Sequence, residues 1–291
     1  MNDIKIKDLQ KDITQLTYSD YLIRLSLLAQ AVFKWEGLPN GIDDKYIERY
    51  LFGEGRCMFF KDFEKGWMVT RCTDAGMLNY YDEPTKLKPV ATNYTAGDNK
   101  EAYVPGEDCV MICNNDYSIP TERTIRLYAA RLTEIQRTSD INIIAQKTPV
   151  IITGTEKQRL SLKAVMRQWL GNEPLIYGDK QLEGIDLKTL NTAAPVVFDK
   201  LTIEKNKIWN ECMTFLGINN ANLDKRERLV DDEVQANNEQ IELSAEVMLK
   251  SRQAAAKAIS ELCGCQVTVS MRKQEKAAQG APEGAEGGAG E

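Results

Sequence analysis

ERTIRLYAARLTEIQRTSDINIIAQ, residues 122–146, is the stretch on which the fold turns. Ile125, Leu127, Tyr128, Leu132, Ile135, Ile141 and Ile144 recur at helical spacing, which predicts the longest helix of the chain, about 40 Å at roughly 1.5 Å per residue. Arg123, Arg126, Arg131, Glu134 and Arg137 leave its apolar stripe narrower than a fully buried helix requires. Immediately upstream, NNDYSIPT at 114–121 is turn chemistry, and it leads to Thr121 as the expected N-cap. Downstream, KTPVIIT at 147–153 changes to strand character, LSLKAVMRQWL at 160–170 predicts a short helix, and GNEP a turn. LIY at 175–177 and residues 186–200 complete a small α/β insert. A second long helix resumes near Pro195 and runs to Gly217, with Trp209, Met213 and Leu216 on one face. Two long helices around a small insert must pack on one another, so the pattern predicts a helical hairpin with a small module at its tip.

Outside this hairpin the chain is mixed. Tyr18 to Trp35 carries Tyr18, Leu22, Leu25, Leu28, Ala29, Val32, Phe33 and Trp35, which predicts a helix ended by GLPNG at 37–41. Residues 44–52 predict a short helix. CMFF at 57–60, the KDFEKG turn and Trp67, Met68 and Val69 predict a β-hairpin over 57–72. Residues 76–108, rich in Gly, Pro, Asn and Asp, predict loops and short strands, and CVMIC at 109–113 a buried strand. After Gly217, residues 238–262 predict one more helix, and CQVTVSM at 265–271 a strand whose partner lies elsewhere. Residues 272–291 are dominated by Ala, Gly, Glu and Gln and predict a disordered acidic tail. The fold class is α+β, mainly helical.

Composition narrows the function. With 291 residues, 43% of them hydrophobic, the chain can build one large core or two modest ones. No run of about 18 apolar residues is present, so no membrane contact is expected, and MNDIKIKDLQKDITQ alternates charges where a secretory signal needs an apolar stretch. Seven cysteines without such a signal predict reduced thiols and a cytoplasmic setting. There is no histidine, which removes the commonest general base and metal ligand. Gly53 and Gly55 in FGEGR lack the third glycine of a dinucleotide loop, and no GxxxxGK[ST] loop occurs, so no nucleotide cofactor is expected. Neither Cys109/Cys113 nor Cys263/Cys265 has zinc spacing, and no metal is expected. The four tryptophans, Trp35, Trp67, Trp169 and Trp209, lie in apolar runs and predict core packing. A net charge of −6 confines any contact with nucleic acid to a local patch.

Such a patch is visible at 209–234, WNECMTFLGINNANLDKRERLVDDEV, where the apolar helix breaks at Gly217 and runs into dense charge. Lys225, Arg226 and Arg228 stand among Asp224, Glu227, Asp231, Asp232 and Glu233, which reads as a solvated loop or helix start. Asp231, Asp232 and Glu233 supply oxygen ligands for a hard cation only if they converge, and consecutive residues point apart. The basic residues carry little weight singly but form an annulus of charge if the chain repeats about an axis.

This region, with NEQIE at 238–242, resembles the portal proteins, also called upper collar or head–tail connector proteins, of small protein-primed short-tailed phages. FKWEGLP at 33–39, NNDYSIPT at 114–121, AQKTPVII at 145–152, LSLK at 160–163 and APVVFDKL at 194–201 extend the resemblance, in order, over about residues 15–270. It implies a ring of twelve subunits at one capsid vertex, through which double-stranded DNA passes without sequence readout during packaging and ejection. Residues 1–121 and 237–271 would form the wing, 122–146 and 200–216 the stem, 147–199 the clip and 217–236 a channel loop. Lys200, Lys225 and Arg226 match channel-facing basic positions; a further such lysine aligns with Asn191, where Lys188 stands nearby, and Arg228 is an additional candidate contact. Implied partners are further copies of the chain, DNA, the major capsid protein, a lower collar or tail protein, scaffold and a separate packaging ATPase, in a virion assembled in bacterial cytoplasm. Residues 1–20 balance Lys5, Lys7 and Lys11 against Asp3, Asp8, Asp12 and Asp20, so the basic arm through which a packaging RNA would be held does not carry over. Two other readings have different consequences: a helical adaptor that ignores DNA, and a carboxylate–metal nuclease built on Asp231, Asp232 and Glu233.

Overall fold

The computed structural model describes residues 6–94, 101–146, 150–153, 186–189, 195–219 and 231–272. In chain order the elements are α1 (Ile6–Gln30), β1 (Phe33–Glu36), α2 (Asp44–Glu54), β2 (Arg56–Asp62), β3 (Gly66–Leu78), β4 (Pro84–Val90), β5 (Cys109–Cys113), α3 (Glu122–Gln146), β6 (Val150–Thr153), β7 (Asp186–Thr189), α4 (Phe198–Phe215), α5 (Asp231–Cys263) and β8 (Thr268–Met271). Contacts gather them into two units, Tyr18–Ala130 with Trp209–Glu291, and Met1–Thr17 with Arg131–Ile208. No helix among the described residues is long and apolar enough to cross a membrane.

In the first unit the sheet runs β4-β3-β2-β5, antiparallel throughout. Cys57, Met58, Phe59 and Phe60 of β2 are all fully buried, which explains why the run shows no polar alternation: both faces of this strand are covered. Met58 and Phe60 join Leu87, Tyr103 and Cys109 in one cluster, with Phe60 packed on Tyr103 at 4.8 Å and edge-on to Tyr94 at 5.8 Å. Phe59 points the other way and stacks on Trp67 at 5.0 Å. Asp62 shapes the turn into β3 by accepting from the amides of Glu64 and Lys65 with one oxygen and from the Tyr94 hydroxyl, at 2.7 Å, with the other.

α2 packs on β2 and β3. Asp43 caps its start by accepting from the Lys45 amide, and its end turns at Gly55 in the left-handed region, φ 79°. A Cβ on Gly55 would lie 2.0 Å from the Ser118 carbonyl oxygen, so neither the backbone angle nor the space admits another residue. The loop after β5 is an Asx turn, in which Asn115 Oδ1 accepts from the amides of Tyr117 and Ile119. Thr121 stands at the N-cap position of α3, its carbonyl accepting from the Ile125 amide at 3.2 Å, while its hydroxyl accepts from Asn114 Nδ2 at 2.9 Å.

A buried polar knot ties α2, β1, the β5–α3 turn and α5 together. Arg252 donates from Nε and Nη2 to the two oxygens of Glu48 at 2.9 and 2.8 Å. It also donates to the Asn114 carbonyl, Asn114 Oδ1 and the Met248 carbonyl, each at 3.0 Å. The same Glu48 accepts from Trp35 Nε1 at 2.9 Å, and the Arg252 guanidinium lies 4.1 Å from the Phe33 ring centre. Both charged side chains are 3% exposed, and a pair so deep is tolerable only because nearly every donor and acceptor is used.

Two helix expectations are corrected here. The helix read over Tyr18 to Trp35 ends at Gln30 but begins earlier, at Ile6; Phe33 and Trp35 belong to β1, where they are buried while Lys34 and Glu36 are exposed. Strand pairing with β8, Phe33 opposite Met271 and Trp35 opposite Val269, overrides a pattern that also fits a helix. Residues 76–108, expected as loops and short strands, hold the short β4 between loops, and the expected 57–72 hairpin runs on into them because β3 reaches Leu78. The helix read from 238 begins at Asp231, so 231–236, assigned to the channel loop, are helical; Asp231, Asp232 and Glu233 are the residue types that a helix N-terminus favours.

In the second unit β6 and β7 pair antiparallel, with Ile151 opposite Lys188. Asn142 of α3 receives the chain entering α4: its Nδ2 donates to the Pro195 carbonyl and its Oδ1 accepts from the Val197 amide. Lys205 Nζ donates to Gln136 Oε1 at 2.9 Å, so α3 and α4 run antiparallel within this unit. In the first unit Tyr128 and Phe215, from the same two helices, lie 6.4 Å apart. The expected helix at 160–170, the turn and strand after it and the acidic tail from 273 lie outside the described residues.

Candidate nucleic-acid interface

α4 separates its apolar and charged residues by helical spacing. Ile208, Cys212, Met213 and Leu216 are buried, while Lys200, Ile203, Glu204, Lys207 and Glu211 are exposed. The exposed positions fall at i, i+3, i+4, i+7 and i+11, one continuous stripe. Neither Lys200 nor Lys207 forms an ion pair among the described residues, although Glu204 lies a turn from each. Lys205 is turned away, towards Gln136. The stripe therefore presents two ammonium groups at about 10 Å separation along the helix, two turns of 5.4 Å, with a carboxylate between them. A lone stripe of this kind attracts a polyanion weakly; repeated around an axis, each lysine becomes a ring of charge.

Of the candidate contacts, Lys200 is exposed in the first turn of α4. Lys188 lies on β7 opposite Ile151. Lys225, Arg226, Arg228 and Asn191 lie outside the described residues. Lys207 went unnoticed in the sequence, where its signal was the seven-residue interval from Lys200. Asp231, Asp232 and Glu233 fall in the first residues of α5, and no group of three or more carboxylate or thiol ligands gathers for a metal among the described residues. Cys57, Cys109 and Cys212 are fully buried packing groups, and burial pushes Cys212 up to about 12 and Cys72 to about 11.

α3 completes the hairpin. Ile125, Tyr128, Ala129 and Leu132 are buried on one face, whereas Leu127 and Ile141 on the other are 59% and 58% exposed. The family described as Phage Connector (GP10) matches residues 2–276. The chain belongs to the phage connector family. The fold agrees: this connector superposes on a chain from the portal and tail of native bacteriophage P68 with a TM-score of 0.52 and 13% identity, covering 95% of this chain and 94% of that one. A portal protein of the HK97 family from Corynebacterium diphtheriae aligns at 8% identity and a TM-score of 0.46 over 87% of the connector and 91% of its own length. The connector family is a structural one, and this connector's mixed helical and sheet architecture is that of a phage portal subunit.

Proposed function

We propose that the chain forms a dodecameric ring at one vertex of a phage capsid, at the head–tail junction, and that double-stranded DNA passes through it during packaging and ejection. The observation that carries this reading is the family match across residues 2–276. The α3–α4 pairing supports it as a channel-lining stem, with Lys200 and Lys207 on the exposed stripe and Leu127 and Ile141 open to neighbouring subunits. Lys225, Arg226 and, less directly, Lys188 and Arg228 add basic rings. Capsid, tail and scaffold proteins and a separate packaging ATPase dock on such a ring; the chain itself catalyses nothing.

An overall charge of −6 suits a conduit better than a clamp. Every phosphate neutralised by a cation releases counterions and adds affinity, so a wholly basic wall would hold DNA rather than pass it. A mostly acidic wall with sparse basic rings keeps the duplex near the axis, and its backbone contacts read no sequence. The basic block at 225–226 then acts as a retention valve once the head is full. Electron microscopy of the purified chain tests the ring: annular particles with a central hole and twelvefold symmetry are expected, and a monomer at high concentration overturns the reading. In assembled particles, Lys225→Ala with Arg226→Ala should package DNA and then leak it; normal retention removes the valve.

A further inference from the structure

The β3–β4 hairpin ends in an apolar cluster that nothing among the described residues of its unit covers. Met77 is 82% exposed and Tyr81 85%, while Tyr80 is fully exposed and Leu78 more than half so. The tip is nevertheless built to a fixed shape. Asn79 Oδ1 accepts from the amides of Tyr81 and Glu83 at 2.8 and 3.0 Å, its own amide donates to the Glu83 carbonyl at 2.8 Å, and Thr85 Oγ1 donates to the Met77 carbonyl at 2.6 Å. A purely solvated loop gains nothing from two tyrosines and a methionine held in this way. Rigid aromatics with few rotamers are the residues that anchor the centres of protein interfaces.

The same unit carries an unlike surface. α1, α2 and β3 line a groove of about 750 Å³ that includes Leu22, Ile23, Leu27 and Phe52, with Arg49 and Arg71. Ile23 and Leu27 are 59% and 65% exposed there. Arg49 forms no ion pair among the described residues, and neither does Asp82 at the hairpin tip.

We infer that the hairpin tip of one copy docks in this groove on the next copy in the ring, with Tyr80 and Tyr81 against the apolar side chains and Asp82 towards Arg49. Glu54 and Glu122 also line the groove, but Glu54 pairs with Arg71 and Glu122 with Arg126, which leaves Arg49 as its unpaired charge among the described residues. A protruding apolar tip with Asp82 and an apolar groove with Arg49, unlike each other on one chain, make a head-to-tail contact, and a contact of that type is what closes a ring. Both surfaces stand open within one unit, so the tip does not fill its own groove. Each tyrosine can bury about 150–250 Å². The tip thus supplies roughly half of the ~800 Å² per partner typical of a stable interface, and leaves the remainder to other subunit contacts.

The inference rests on the ring proposed above, and sedimentation velocity of the full chain separates the two. Tyr80→Ala with Tyr81→Ala should abolish the ring at concentrations where the wild type is assembled, with unchanged circular dichroism because the tip is solvent-exposed. Arg49→Glu and Asp82→Arg should each raise the concentration for half-assembly by about tenfold, and the two together should restore it to within about threefold of wild type. The contact is overturned if the tyrosine variant assembles normally, or if the double reversal is no better than the singles. A wild-type chain that never assembles overturns the ring, and this contact with it.

Discussion

Replacing Arg252 by Met retains most of the buried stem and removes the guanidinium, so the cost reports the polar knot rather than a cavity. Glu48, 3% exposed, would lose its cation while keeping only the Trp35 indole as donor. The Asn114 carbonyl, Asn114 Oδ1 and the Met248 carbonyl would each lose a donor that now stands 3.0 Å away. Breaking a buried ion pair from one side costs about 3–5 kcal/mol, because the remaining charge is stranded. That is a large share of the roughly 5–15 kcal/mol that holds a domain folded. Glu48→Gln in the Arg252→Met background removes the stranded charge and leaves unpaired neutral groups at about 1–3 kcal/mol, so the double variant should be more stable than Arg252→Met alone. Urea unfolding followed by tryptophan fluorescence and circular dichroism, at concentrations below assembly so that subunit contacts do not contribute, measures both. An Arg252→Met cost below about 1 kcal/mol, or a double variant less stable than Arg252→Met, would refute the reasoning.

Two further outcomes follow from local geometry. Gly55→Ala should destabilise by more than about 2 kcal/mol in the same urea titration, because it combines a left-handed backbone angle with a Cβ placed 2.0 Å from the Ser118 carbonyl oxygen; a near-neutral result would show that the β5–α3 turn yields freely. Alkylation of the folded chain at pH 8 should spare Cys57 and Cys212, and should modify Cys72 slowly: with its thiol pushed up to about 11, only about a thousandth is thiolate there, rising about tenfold at pH 9. Peptide mass spectrometry after brief labelling reads the order, and rapid modification of Cys212 would contradict its packing in α4.

Much of this architecture was legible because it is written locally. α3 spans Glu122–Gln146, the helical period of 122–146, and β5 spans Cys109–Cys113, the apolar run CVMIC. The same holds for α4, whose apolar face is fixed by Ile208, Cys212 and Leu216 at four-residue intervals. β1 was misread because VFKW continues an apolar pattern begun by α1, and the alternation that distinguishes a strand is only four residues long. Lys200 was identified by similarity, whereas Lys207 emerged only once the exposed stripe of α4 could be traced.

By itself the sequence determined the periodic elements, the polar composition and the family, since each depends on residue order along a few turns or on motifs in register. Tertiary structure alone decided that β1 pairs with β8, that Arg252 sits on Glu48 two hundred and four residues earlier, and that Met77, Tyr80 and Tyr81 point into solvent while a groove between α1, α2 and β3 stays open. These are contacts between distant segments: their energy comes from burial and pairing that no local window contains, and only the closed chain shows which side chains are satisfied and which still face outward.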